Sequence, residues 1–334
     1  MKKFSLAILL VISADFAHSD ALFESNDPLN ITLEAPLIEI RKTRDKTIKY
    51  SAQLTHEEKI YDLNISVRGN KRLSKKTCKN PPLWLDFKKK QTKDTLFAHQ
   101  KHLKLVVLCK DSNLHHNYLR GEYLIYKMYE EIAPVNFRVR WLTITYVEED
   151  GSSRSEPAFL IERKARVGKR VGMMKVDEEE IDHTELDKDT SALVNLFNYI
   201  VSNSDFSLVL SESGSCCHNA KLFLDKESNK YFPVLYDFDS SGVINARYAV
   251  PNPSIKVKKV TTRVYRGFCH HNSSLDYARS TLNSAKSKFT SLITDDTILS
   301  KAFIKKMSKF IEGSFESLEH DGKFQSRIVS QCRE

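Results

Sequence analysis

Residues 196–242, LFNYIVSNSDFSLVLSESGSCCHNAKLFLDKESNKYFPVLYDFDSSG, limit the folds open to this chain more than any other stretch. An apolar helical run ends at Asn203-Ser204-Asp205. A polar loop with two adjacent cysteines then delivers His218-Asn219. A strand over 220–224 turns through Lys and Asn residues into a second strand, 231–236, which ends in Asp237-Phe238-Asp239. A hairpin of this kind lets Asp205, Asn219 and Asp237 converge from the ends of adjoining elements. Phosphoryl transfer uses such a set: one carboxylate orients the attacking hydroxyl, while an amide and a second carboxylate hold Mg²⁺ against nucleotide phosphates. Magnesium keeps much of its water, so few protein oxygens suffice. The plainer alternative makes Asp205 a helix cap and Asp237 and Asp239 turn residues.

A chain of 334 residues is long enough for one large domain or two lobes around a sizeable core. The formal net charge of +9 suits an anionic ligand. The basic residues are spread along the whole chain and no nucleic-acid motif is present, so specific nucleic-acid binding is not expected.

Residues 1–19 read as a secretory signal: Lys2 and Lys3, an apolar core over 4–12, and Ala17-His18-Ser19 ahead of a cleavage point before Asp20. The apolar core is too short to span a bilayer, and no later segment is apolar enough to do so. A secreted or periplasmic protein follows. All six cysteines lie beyond the cleavage point, and an even count in an exported protein suggests disulfides. Cys78 and Cys109 flank neighbouring strands and are paired on that basis. Cys216 or Cys217 with Cys269 is the second expected bond. The rival reading is zinc held by Cys216-Cys217-His218 and Cys269-His270-His271, although adjacent ligands fit poorly beside the usual spaced motifs.

A first lobe is expected over 30–165. Residues 60–67 alternate as a half-buried strand does, and further strands are predicted over 83–87, 103–108, 137–147 and 157–162. A helix is predicted over 117–132. The basic run KRLSKKTCK, residues 71–79, reads as a solvated loop or a phosphate cradle. The second lobe, 166–334, opens on a charged linker over 175–189 whose DEEEID run is expected to be exposed and mobile. Helices are predicted over 191–201, 275–292 and 297–318, with an irregular, Pro- and Lys-bearing segment over 245–259.

Taken in order, these residues resemble the spore-coat CotH kinase family and, more distantly, the HipA-type and phosphatidylinositol kinases. The resemblance spans residues 65–242. It rests on the Arg68-Gly69-Asn70 turn followed by Lys75-Lys76-Thr77, on a strand over 103–108 leading to Asp111 and Leu119-Arg120, and on Phe159-Leu160-Ile161-Glu162. It ends with Asn203 to Asp205, Asn219, and Asp237 to Asp239.

The resemblance implies an α+β, bilobal, protein-kinase-like fold, with an antiparallel-sheet first lobe, a mainly helical second lobe, and ATP and Mg²⁺ between them. Asp205 would be the catalytic acid-base residue. Asn219, Asp237 and Asp239 would bind the metal. Arg68 and Lys76 would approach the phosphates, and Glu162 would sit near the lobe junction. The family brings its metal-binding Asn about five residues after the catalytic Asp; here the gap is 219 − 205 = 14. The implied function is transfer of a phosphoryl or related nucleotide-derived group to a protein or small-molecule acceptor. The alternative is a non-catalytic kinase-like binding protein of the cell envelope.

Overall fold

The computed structural model describes residues 20–178, 180–210 and 217–334. The expected signal segment, Glu179 and Cys216 lie outside the described residues. The chain is α+β. Its first part builds seven strands: β1 (Leu29–Glu34), β2 (Tyr50–His56), β3 (Lys59–Val67), β4 (Leu83–Phe87), β5 (His102–Val107), β6 (Val139–Val147) and β7 (Ser153–Ile161). They close into a barrel in the order β1-β2-β3-β4-β5-β7-β6. The antiparallel sheet expected for this part is therefore corrected. Six of the seven pairings are antiparallel, but β1 closes the ring parallel to β6, with Leu29 beside Leu142 and Glu34 beside Val147. Closure leaves no strand edge unpaired. Alternate residues point inward, so Ile31, Leu33, Leu63, Ile65, Leu85 and Leu105 share one buried core.

Helix α1 (Leu37–Thr43) and the four-residue α2 (Lys89–Thr92) lie in loops of the barrel. Helix α3 (Asn113–Glu130) follows β5. After β7 come α4 (Lys164–Val171), the two-residue β8 (Met174–Lys175) and α5 (Lys188–Val201), then the hairpin β9 (Ala220–Asp225) and β10 (Lys230–Leu235). Helices α6 (Leu275–Thr294), α7 (Lys301–Glu319) and α8 (Asp321–Arg327) complete the chain. Helix α5 is buried along nearly its whole length and is the axis of a second core shared with α6 and α7.

Helix α3 precedes two barrel strands, yet its buried face joins this second core. Three contacts hold it there. Arg120 Nε pairs with Asp296 at 2.7 Å. The Ser300 amide donates to Asn117 Oδ1 at 2.9 Å. Gly121 leaves room for the Phe303 ring, which would stand 3.3 Å from a Cβ.

The charged linker is docked rather than mobile. Val176, Ile181 and Leu186 are buried. The amides of Val176, Ile181 and Asp187 donate to the carbonyls of Leu222, Val209 and Tyr231. An apolar residue every five positions anchors the run, while Asp177, Glu178, Glu180 and Asp182 between them are exposed.

Two described disulfides brace the fold. Cys78 is bonded to Cys109, as the flanking strands suggested. Cys269 is bonded to Cys332, which overturns its expected pairing with Cys216 or Cys217 and removes it as a zinc ligand. Among the described residues no helix is long and apolar enough to cross a membrane.

Candidate active site

A cleft of about 640 Å³ opens between the barrel and the β9–β10 hairpin. Its lower wall carries the acids and amide singled out in the sequence. Helix α5 stops at Ser202, which takes a left-handed conformation, φ 52°. Asn203 then folds back: its amide donates to the Asn198 carbonyl at 2.8 Å, and its Oδ1 accepts from the Asp205 amide at 3.2 Å. Asp205 is thus aimed by the loop. It caps no helix; the N-cap of α5 is Asp187.

His218 Nε2 lies 2.9 Å from one Asp205 carboxylate oxygen. Asn219 Nδ2 donates to the Asp205 carbonyl at 2.6 Å and reaches the other carboxylate oxygen at 3.4 Å. The long loop therefore returns Asn219 to Asp205 despite the gap of 14 residues. Burial pushes the Asp205 carboxyl up, but the His218 hydrogen bond and charge, helped by Lys71 and Arg266, bring it below the ordinary value. Asp205 is a carboxylate at neutral pH.

Asp237 and Asp239 follow β10 and are set by the residue between them. Phe238 is fully buried against Tyr126, with ring centroids 4.9 Å apart, and against Phe197. The Asp237 amide donates to the Tyr126 hydroxyl at 2.7 Å. Asp237 and Asn219 both hold φ near the left-handed region, at 66° and 49°. Such backbone is sparsely populated by residues other than Gly and gathers at functional sites. Burial, then the neighbouring Asp237, lifts Asp239 to about 6.

The upper wall supplies cations that sequence reasoning missed. Lys104 on β5 faces the cleft beside Trp84 and stacks on Tyr236, its Nζ 4.3 Å from the ring centroid. Burial lowers its pKa to about 7, and Arg68 adds to this. Among the described residues no carboxylate comes within ion-pair distance of it. Glu122 on α3 is 3% exposed. Burial and Asp239 raise its carboxyl well above the usual range. Its ion-pair partner is Arg72, at 3.8 Å.

Arg72 comes from the basic run, a loop tied down at its backbone although Lys71, Lys75, Lys76 and Lys79 are exposed. The Cys78–Cys109 bond ties it to the end of β5, and Arg44 donates to the carbonyls of Leu73, Cys78 and Lys79. Arg68 lies at the cleft mouth, its guanidinium 5.5 Å from the Trp84 ring.

Two predicted residues are not brought to the cleft. Lys76 is exposed on the outer part of the loop, where its carbonyl accepts from Lys110. Glu162 follows β7 and is a structural anchor: it pairs with Arg170 at 2.9 Å and accepts from the Arg138 amide at 3.2 Å. The missed signals were single charges inside apolar elements. Lys104 stands between Leu103 and Leu105, and Glu122 sits four residues from both Tyr118 and Tyr126 on the apolar face of α3.

Among the described residues no group of three or more His, Cys, Asp or Glu is clustered as a metal cage. The donors on the cleft floor are the carboxylates of Asp237 and Asp239 and the side-chain oxygen of Asn219. Among the described residues these donors are few, and magnesium, which keeps much of its water, is the ion that so few would suit. The crowding of Glu122, Asp237 and Asp239 is the independent sign of fit. Buried like charges raise one another's pKa, and a cation relieves them.

No family model matches the chain, and no curated protein matches it. A solved structure of the Helicobacter pylori proinflammatory kinase CtkA superposes with a TM-score of 0.41 at 9% sequence identity, covering 73% of this chain and 94% of that one. At that level of likeness the side chains of the cleft must speak for its chemistry.

Proposed function

We propose that the chain is a kinase-like phosphotransferase that uses a magnesium-bound nucleoside triphosphate, ATP by resemblance, with a bilobal arrangement of barrel above helical half. The observation that carries this reading is the meeting in one cleft of a desolvated Lys104, which has no carboxylate within ion-pair distance among the described residues, with the crowded acids Asp237, Asp239 and Glu122, and with Asp205 and Asn219 beside them. A polyphosphate with its cation is the ligand that satisfies both walls at once.

Lys104 and Arg68 are the cations available to the phosphate oxygens. Asp237, Asp239 and the Asn219 side-chain oxygen would hold Mg²⁺. When bound, that ion neutralises charge on the phosphates during transfer. Asp205 orients the acceptor hydroxyl and receives its proton as the new oxygen–phosphorus bond forms and the bond to the nucleoside diphosphate breaks. His218 and Asn219 hold Asp205 in place for this. The CotH-type family is the resemblance behind the residue roles, and the acceptor is a protein or small-molecule hydroxyl.

Export is part of the same reading. The two described disulfides suit an oxidising compartment. Asp20, the residue after the expected cleavage point, is buried and pairs with Arg166 at 3.1 Å and Gln100 at 2.7 Å. Mass spectrometry of exported protein should give Asp20 as its first residue; an intact Met1 terminus refutes this.

A second reading, a non-catalytic kinase-like binding protein of the cell envelope, is favoured by one contact: Glu122 pairs with Arg72 instead of Lys104. Calorimetry with MgATP and transfer of labelled γ-phosphate separate the two. The enzyme binds and transfers. Asp205→Ala then retains nucleotide affinity and loses turnover by about 10²- to 10⁴-fold, whereas Asp237→Asn loses Mg²⁺-dependent binding. Binding without transfer in the wild type selects the second reading, and absence of binding removes both.

A further inference from the structure

Residues 245–268 have no assigned role in the proposed reaction, yet near their end stands Arg266, which reaches the loop of Asp205. Its Nη1 donates to the Ser204 carbonyl at 2.7 Å and to the Phe206 carbonyl at 2.5 Å. These carbonyls flank Asp205 on either side. The guanidinium also lies 5.0 Å from the centroid of the Phe206 ring. The Asp205 loop belongs to no helix or strand, and one side chain grips the carbonyls of the residues before and after the acid.

Arg266 is itself held from behind. Arg333 Nε donates to the Arg266 carbonyl at 2.9 Å. The Arg333 amide donates to the Gly267 carbonyl, and the Cys269 amide to the Arg333 carbonyl, at 2.9 and 2.7 Å. The Cys269–Cys332 bond locks this two-stranded contact. Gly267 is required where it stands, because a Cβ there would fall 2.1 Å from the Tyr265 hydroxyl, whose ring is buried.

We propose that Arg266 is a positioning residue for Asp205, and that the Cys269–Cys332 bond fixes Arg266, so that alignment of the acid depends on a covalent link at residue 332. The inference deepens the phosphotransferase reading and rests on it for its kinetic test. Arg266 does not touch substrate; it holds the peptide that carries the acid.

The test uses the full chain. In Arg266→Ala, kcat falls about 10- to 100-fold, the loss expected when a catalytic group is displaced by an ångström or so. Calorimetric MgATP affinity stays within about twofold, because the phosphate-binding wall is untouched. Added guanidinium restores part of kcat. The Cys269→Ser, Cys332→Ser pair moves kcat the same way by a smaller factor.

Hydrogen exchange reads the loop apart from chemistry. The Ser207 amide donates to the His218 carbonyl at 2.9 Å. It loses protection in Arg266→Ala while the amides of α5 keep theirs. Unchanged kcat, or a fall in MgATP affinity matching the fall in kcat, overturns the proposal. Unchanged protection at Ser207 overturns it too, even if the wild type transfers nothing and the enzyme reading itself has failed.

Discussion

Lys104 gives the cleft its pH dependence. Its pKa of about 7 reflects burial and then the neighbouring Arg68, which the charge of Asp237 offsets only in part. In the free protein the ammonium is lost as pH rises through that value. Bound phosphate favours the charged form, so nucleotide binding at pH 8 should take up protons, and affinity should weaken above neutrality. Calorimetry in buffers of different ionisation enthalpy measures that uptake. Lys104→Met should abolish it and lower affinity; proton uptake unchanged in the variant removes Lys104 from the phosphate site.

Asp239 carries the opposite burden. Its carboxyl is raised to about 6 by burial and by Asp237, so the folded state holds the proton more tightly than the unfolded chain does. The stabilisation this gives is present below the unfolded value near 4 and is lost as pH rises through about 6. Glu122 shifts in the same direction. Asp239→Asn should therefore raise the melting temperature of ligand-free protein at pH 7, by about 1–3 kcal/mol of stability, and leave it little changed at pH 4. The same variant should weaken Mg²⁺-dependent nucleotide binding less than Asp237→Asn does. A variant no more stable than wild type at pH 7 would mean that the acid floor is not strained.

At the scale of elements, the loop between β3 and β4 is the part most dependent on a covalent link. Residues 68–82 contain no regular structure beyond one 3₁₀ turn. They are held by Cys78–Cys109, by Arg44, and by the amides of Lys79 and Asn80 donating to the Cys109 carbonyl. Cys78→Ser with Cys109→Ser should cost roughly 3–4 kcal/mol for a bond of this span, read by denaturant unfolding. Arg72 enters the cleft from this loop, so nucleotide affinity should fall with it. Stability lost without loss of affinity would show that the loop does not shape the site. Helix α3 needs no such staple, because Arg120–Asp296 and the Asn117–Ser300 contact hold Glu122 against the helical half.

For the molecule as a whole, β1 completes the barrel, and its core residues are as buried as those of the longer strands. Leu33 is fully buried beside Leu54 and Tyr146. Leu33→Ala should cost about 2–5 kcal/mol, measured by thermal or urea unfolding, with little change in nucleotide affinity at temperatures where the variant is folded. A cost below 1 kcal/mol would show that closure contributes little to stability.

Sequence alone determined what neighbours within a few residues can enforce. Alternation named β3, with β4 to β7 expected as further strands, apolar faces named α3, α5 and α6, and the flanking strands paired Cys78 with Cys109. It also marked Asp205, Asn219, Asp237 and Asp239, because acids and amides at element ends stand out against apolar runs. Tertiary structure decided what depends on distant partners. Residues 29–34 find their strand partners in 53–55 and, more than a hundred positions away, in 142–147. Lys104 and Glu122 are single charges in apolar elements, and only the cleft turns them from oddities into a cation and an acid facing each other's walls. Lys76 and Glu162 carry the right charge in the right order, but one points to water and the other to Arg170. The reach of Arg266 to Asp205, 61 residues back along the chain, is invisible in sequence, because a hydrogen bond to a backbone carbonyl leaves no mark on the residue that accepts it.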